Sequence, residues 1–452
     1  LTLESKNRML VGTGAPSTLA AAIRGPRAAE PSLKIDRSSV RSRLPASSRA
    51  QAVDANQLAE ALARSVRGSV RFDDGSRALY ATDASNYRQV PIGVVLPESA
   101  EDAVRALEVC RRFEAPVLTR GAGTSLAGQC CNVAVVLDFS RRVNRVLDVD
   151  PHKRLARVEP GAVLDDLRAL AEKHALTFGP DPATHSHCTL GGMIGNDSCG
   201  VHSVLAAFEG EGGRTSDNVA ELEIATYDGA RMRVGRTSDE ELARIVAAGG
   251  RRGQIYAALA ALRDRHAAAI REKFPKIPRR VSGYNLPALL PENGFHVARA
   301  LVGSEGTCAT VLEATVQLVP SPPARALLVA GFSDVFAAAD AVPLVLAHRP
   351  AGLEGFDDGL VNDMRRAGLH PDGIALLPEG NGWLLIELPG EAPEEAEGRA
   401  RRLMEDLSRI APAPALRLFT RFEDARRVWQ VRESGLPATA HAPGRLLTWE
   451  GW

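Results

Sequence analysis

Between Pro180 and His202 the chain reads PDPATHSHCTLGGMIGNDSCGVH, and its central part CTLGGMIGNDSCG sets four glycines among short polar side chains. Side chains kept this small raise the question of what approaches the backbone so closely here. Taken alone the stretch reads either as a tight loop between sheets or as a surface along which main-chain groups hold an extended ligand.

At 452 residues the chain exceeds what one hydrophobic core sustains, so two or three packed units are expected. Hydrophobic residues make up 45% and charged residues 24%, with a formal net charge of +0, which speaks against nucleic acid as a partner. No apolar run approaches the roughly 20 residues that cross a bilayer, and LTLESKNRML lacks the order of a secretion signal. The expected location is the cytoplasm, or the periphery of the inner membrane. Cys110, Cys130, Cys131, Cys188, Cys199 and Cys308 form no CxxC pair or His/Cys cluster, so reduced thiols and no metal site are expected.

Residues 1–55 are dominated by Ser, Pro, Arg and Ala without periodicity and read as a disordered leader. A first domain is expected over 56–320, with its core at 90–320. There GVVL, a helix capped by Ser99 and APVLT form a βαβ unit. Further along, VAELEIATYDGARMRVG reads as a hairpin about Asp228-Gly229, and RIVAAGGRRGQIYAALAALRDRHAAAIREKF as helix. The proline cluster VPSPP marks a boundary near 320, and a second α+β unit is expected over 321–452. The chain begins with Leu1 and stops at LLTWEGW directly after an apolar run, which reads as truncation at either end.

RGAGTSLAG (120–128) follows a strand, where glycine loops turn N–H groups toward an anion. Its spacing is not GxGxxG and no acidic ribose partner follows at the usual distance, so a purely structural turn stays open. GSEGT (303–307), before the strand CATVLEATVQLV, is by itself only a turn.

In this order, RGAGTSLAG, VEPGA (158–162), PDPATHSHCTLGGMIGNDSCG and LVGSEGTCATVLEATVQL resemble the flavoprotein superfamily of vanillyl-alcohol oxidase and p-cresol methylhydroxylase over about residues 90–320. RRVSGYNLPALLPENGFHVARALVGSEGT and GGMIGNDSCGVHS are most similar to the FAD-linked D-2-hydroxy-acid dehydrogenases, which act on D-lactate, glycolate or D-2-hydroxyglutarate, especially the bacterial form fused to an iron-sulfur half. The resemblance implies an α+β fold: a two-subdomain FAD-binding domain of the p-cresol methylhydroxylase type, then an incomplete substrate (cap) domain. It implies hydride transfer from Cα of a D-2-hydroxy acid to flavin N5, with electrons passed to an acceptor such as an iron-sulfur protein or subunit. A noncatalytic FAD-binding subunit, or a truncated remnant needing a partner chain, is the alternative.

By the same resemblance FAD is noncovalent, because Thr124 stands where covalent members carry histidine. Gly121, Ala122, Gly123, Thr124 and Ser125 would surround the pyrophosphate, and Gly191, Gly192, Asn196, Ser198 and Gly200 the ring and ribityl chain, with Pro160, Gly161, Asp181 and Glu305 as neighbours. Tyr284 and Asn285 would face the substrate, although Tyr284 also reads as an ordinary half-buried tyrosine. Arg432, in VWQVRESGL, matches the family's W-x-x-R-E helix and would bind the substrate carboxylate, with a solvated surface arginine as the other reading. No catalytic residue is identified. The family's base histidine sits near H-G-H-x-G-D-G-N, which is expected beyond Trp452. His441 reads as a surface-loop residue, and His185, His187 and His202 as solvated loop histidines.

Overall fold

The computed structural model describes residues 53–440, so His441 and all but the end of the leader read at 1–55 lie outside the described residues. The helix Ala55–Ser65 opens the described part, with the Asp54 carboxylate accepting from the N–H groups of Asn56 and Gln57. The βαβ unit follows. Its four-stranded sheet runs Ser69–Arg71, Gly93–Leu96, Val135–Asp138, Val117–Arg120, and only the first pairing is antiparallel. The helix Ala100–Arg112 begins where Ser99 Oγ accepts from Asp102 N–H, and it buries Ala103, Ala106, Leu107 and Cys110. The loop after Arg120 thus leaves the carboxyl end of a parallel strand, where open α/β sheets place ligands.

The second subdomain is a five-stranded antiparallel sheet in the order Val146–Asp150, Leu155–Val158, Thr310–Gln317, Val219–Ala225, Arg231–Val234. The Asp228-Gly229 hairpin is present, with Gly229 at φ +86°, a conformation that favours glycine. Val158, Leu164, Phe178, Leu190 and Val316 are buried in one core, which places the glycine-rich stretch against the sheet.

Two sequence expectations change. The segment read as one helix is two, Asp239–Ala248 and Gly250–Lys273, because Gly249 and Gly250 both take positive φ (+68° and +64°). The stretch read as a loop contains a short helix, Leu190–Asn196. Thr189 Oγ1 caps it by accepting from Gly192 N–H at 3.2 Å, and Asp197, at φ +56°, ends it. Each interior glycine disfavours helix by about 1 kcal/mol; burial of Leu190, Met193 and Ile194 outweighs that.

From Ala324 a four-stranded antiparallel sheet is built in the order Gly352–Asp357, Gly382–Gly390, Ala324–Phe332, Ala415–Phe419. Helices Val335–Ala347 and Pro393–Leu407 cover one face, burying Leu328, Ile386 and Leu403. Helices Asp358–Ala367 and Phe422–Glu433 cover the other, over Leu385, Val361 and Val428. Coverage on both faces explains why LLVAGF and WLLI read as continuous apolar runs. Among the described residues no helix is long and apolar enough to cross a membrane.

Leu328 has no solvent exposure. Leu328→Ala should therefore lower the unfolding free energy by about 2–5 kcal/mol, read from the midpoint of a urea curve. A loss well under 1 kcal/mol would show that this face is not the core of the second lobe.

Candidate functional site

A cleft of about 1430 Å³ is lined by the loop after Arg120, by residues between Asp181 and His202, and by the helix Phe422–Glu433. A smaller cavity of about 90 Å³ shares Gly121, Ser125, Gln129, Thr189, Gly192 and Asn196 with it and adds Pro160 and Glu305. The combined space exceeds the roughly 300–1,000 Å³ of an ordinary small-ligand pocket and suits an elongated ligand.

Arg120 braces the loop from below, donating to the carbonyls of Thr82 (2.9 Å) and Cys130 (3.0 Å). A Cβ at Gly123 would sit 2.4 Å from its Nη2, and Gly123 also has φ +75°. Among the described residues, the N–H groups of Gly121, Ala122, Gly123, Thr124, Ser125 and Leu126 donate to no protein acceptor. A run of consecutive unengaged main-chain donors on a cleft wall is a cradle for phosphate oxygens.

The glycines divide into two groups. A Cβ at Gly121 would lie 2.0 Å from Thr189 Oγ1, at Gly161 2.1 Å from Phe139 O, at Gly191 2.8 Å from Pro160 O, and at Gly200 1.8 Å from Asp181 O. Smallness there serves close packing of the protein on itself. At Gly192 the added atom meets only Thr189 Oγ1 at 3.3 Å, and at Gly195 only Glu305 Cα at 3.7 Å, so these two are not pressed against other backbone as the first group is and are the more open of the set. Gln129 Nε2 lies 3.5 Å from Glu305 Oε1, linking the first loop to the turn at 303–307. Asn196 and Ser198 bond each other at 3.1 Å on the cleft wall. The open glycines and the unengaged N–H donors fit FAD.

Where the lobes meet, His202 is nearly enclosed, with a side chain 12% exposed. Its Nδ1 lies 2.5 Å from Asp181 Oδ2 and its Nε2 2.8 Å from Glu387 Oε2. Burial by itself would lower the imidazole's pKa; the charges and hydrogen bonds of Asp181 and Glu387 outweigh it and raise the value to about 9. Burial likewise works against the carboxylates, yet the His202 charge prevails, holding Asp181 below its ordinary value and Glu387 at about 2. Glu387 Oε1 accepts from the Trp429 indole N–H at 3.0 Å, and Arg325 lies 3.4 Å from Oε2. A second bridge is parallel to the first: His185 Nδ1 to Asp165 (2.8 Å) and Nε2 to Glu433 (3.5 Å), hydrogen bonds that raise His185 to about 9. His202 and His185 thus sit between carboxylates that favour the protonated ring, with Arg325 Nη1 also 3.0 Å from His202 Nε2, rather than in the solvated positions expected from sequence.

Of the other expected site residues, Gly121 to Ser125, Asp181, Gly192, Asn196, Ser198 and Gly200 line the large cleft, and Pro160, Gly191 and Glu305 the small cavity. Gly161 lines neither. Arg432 lines the large cleft, 16% exposed, with Nη2 3.0 Å from Glu354 Oε2. Tyr284 and Asn285 are not among the residues lining either cavity. The Tyr284 hydroxyl bonds Thr307 Oγ1 at 2.9 Å, while the Asn285 amide accepts from Arg280 and donates to Arg299 O. Glu354 and Glu387 escape a reading of the sequence, since nothing local distinguishes them from any strand glutamate; Trp429 stands in the W-x-x-R-E match, but its bond to Glu387 is not visible there.

Residues 91–235 match the FAD binding domain, and residues 321–449 the C-terminal domain of FAD linked oxidases. The chain is 30% identical over 402 residues to D-2-hydroxyglutarate dehydrogenase of Pseudomonas putida, covering 86% of this chain and 39% of that protein. It is 28% identical over 394 residues to glycolate oxidase subunit GlcD of Escherichia coli K12, covering 85% of this chain and 66% of that one. This chain thus spans about two fifths of the first relative's length. Among solved structures, p-cresol methylhydroxylase superposes with TM-score 0.55 at 13% identity (84% of this chain, 71% of that chain). The 4-ethylphenol oxidase of Gulosibacter chungangensis gives 0.57 at 14% (84% and 69%). These two show the shared fold.

The His202 bridge sets a pH window for stability. The histidine's contribution is complete below about 6.5 and is lost as pH rises through about 9; that of Glu387 is present above about 4.5 and is lost as pH falls toward about 2. Thermal melts should therefore show stability declining from about pH 6.5 to 9, and His202→Gln should lower stability by about 3–5 kcal/mol at pH 6 while flattening that decline. A variant with the parent's pH slope would mean that His202 does not carry the charge.

Gly192→Val should preserve the fold, because its Cβ meets no backbone and only the capping Thr189 Oγ1, at 3.3 Å, which a shift of a few tenths of an ångström relieves, yet abolish retention of FAD. Absorbance of the purified variant decides the matter, and a folded variant that is still yellow would remove Gly192 from the cofactor wall.

Proposed function

The chain belongs to the FAD linked oxidase family, and from that premise we propose that it oxidises a D-2-hydroxy acid, D-2-hydroxyglutarate or D-lactate. Bound FAD supplies the acceptor for the hydride leaving Cα. The observation that carries this reading is the position of Arg432. Its guanidinium, partly withdrawn from water, lines the same cleft as the N–H run of Gly121 to Leu126 and Gly192. One cleft can therefore hold an elongated cofactor and a small carboxylate side by side.

The chain's own residues have definable tasks in this reading. Arg432 supplies paired donors that orient a carboxylate, a charge-assisted contact worth about 1.5–3 kcal/mol. Trp429 lies one helical turn earlier and is fastened to Glu387, so the His202 bridge fixes the helix that presents Arg432. The bridge also ties the two lobes to each other at the cleft wall. His202 keeps its proton at neutral pH, so its task is to position these groups. Electrons would leave to a separate acceptor, an iron-sulfur protein or subunit being the class proposed, with the cytoplasm as the site of action. A relative described as a subunit is consistent with such a division of labour.

Anaerobic mixing tests the reading. The flavin absorbance of the full chain should bleach with a D-2-hydroxy acid and persist with its L-isomer; bleaching by neither would leave the chain as a flavin carrier. Arg432→Ala should retain FAD and raise the substrate concentration needed for half-maximal bleaching by about tenfold to a hundredfold, the equivalent of one charged hydrogen-bonded contact.

A further inference from the structure

Arg432 already holds a carboxylate that belongs to the protein. Glu354, on the strand Gly352–Asp357, directs Oε2 to Arg432 Nη2 at 3.0 Å and accepts from the Gly355 N–H through Oε1 at 3.1 Å. Both side chains line the cleft and are largely withdrawn from water, 16% exposed for Arg432 and 18% for Glu354. Other cleft arginines differ. Arg325 and Arg168 are tied into the interlobe network through Glu387 and Asp181. Among the described residues Arg279 and Arg426 have no carboxylate partner. Arg432 is thus a cleft cation with one carboxylate partner, Glu354, that is itself on the cleft wall and outside the His202 bridge.

We propose that Glu354 is an internal competitor for the substrate-carboxylate site and sets its affinity. This rests on the reading of Arg432 given above. An incoming 2-hydroxy acid offers two free oxygens to the guanidinium, whereas Glu354 divides its own between Arg432 and the Gly355 amide, so the substrate gains the better-matched paired geometry. It gains this against a cost, because Glu354 must yield Arg432 or share it with a second negative charge at short range. The net affinity is the difference of the two. The strand ties the pair to the lobe junction as well: Leu353 N–H donates to Val201 O at 3.3 Å, beside His202. Displacement of Glu354 therefore occurs next to the bridge that holds the lobes.

The test uses oxalate, a small carboxylate with no Cα hydrogen to give up, titrated calorimetrically into the FAD-loaded full chain. Glu354→Gln keeps the shape and the contact to Gly355 while removing the charge, and should tighten oxalate binding by about tenfold. Glu354→Asp, which draws the carboxylate back by one methylene, should tighten it by less. Arg432→Ala should weaken it. If Arg432→Ala weakens binding while Glu354→Gln binds equally or less tightly, Glu354 supports Arg432 instead of competing for it and the proposal is overturned alone. If Arg432→Ala changes nothing, the carboxylate reading of Arg432 falls and this proposal falls with it. Melting temperatures of the three variants separate either result from misfolding.

Discussion

A buried histidine between two carboxylates is expensive to assemble, since each charged group gives up its hydration, and the cluster persists because Asp181 and Glu387 are balanced by His202 together with Arg168 and Arg325 at short range. In this chain Asp181 and His202 come from the FAD-binding lobe and Glu387 from the sheet of the second lobe. None of the three can be buried in this form until both lobes have folded and met. The bridge therefore makes the cleft a property of the whole assembly, and what lies near it inherits its geometry: Gly200 packed on the carbonyl of Asp181, Trp429 held by Glu387, and Arg432 one turn further along the same helix.

Around this junction the glycines divide the work. Gly121, Gly161, Gly191 and Gly200 let backbone and side chains of separate segments approach to distances that any Cβ would forbid. Gly192 and Gly195 keep the wall of the cleft open instead. The first group shapes the cavity and the second leaves it room, so a high glycine density reports two demands at once. Arg120 adds the rigid element, tying the loop that begins the cradle to Thr82 and Cys130 so that its N–H groups can face outward at little cost in order.

Much of this is legible in the chain. The βαβ unit, the Ser99 cap and the Asp228-Gly229 hairpin follow from local chemistry and are present. The break at Gly249 and Gly250 is not, because apolar periodicity runs across the pair and does not reveal that both glycines take positive φ. The helix in the glycine-rich stretch is hidden too: helix propensity there is poor, while Thr189 and the burial of Leu190, Met193 and Ile194 decide the outcome. Tyr284 and Asn285 look like pocket residues by resemblance, yet their side chains are engaged with Thr307, Arg280 and Arg299.

Sequence by itself determined the central strands and several of the long helices but not the strands Ser69–Arg71, Val146–Asp150 and Ala415–Phe419. It also determined that three glycine-bearing turns follow in a set order and that Arg432 is suited to a carboxylate. These depend on neighbours a few residues away, within reach of periodicity, capping and motif. Tertiary structure alone decided that His202 is buried between two carboxylates, that Glu387 and Trp429 support the helix of Arg432, and that Glu354 meets that arginine. Those partners are separated by 185, 42 and 78 positions along the chain. The charge a histidine carries, and the partner an arginine finds, depend on burial and on distances of a few ångströms, quantities that exist only once the two lobes are packed together.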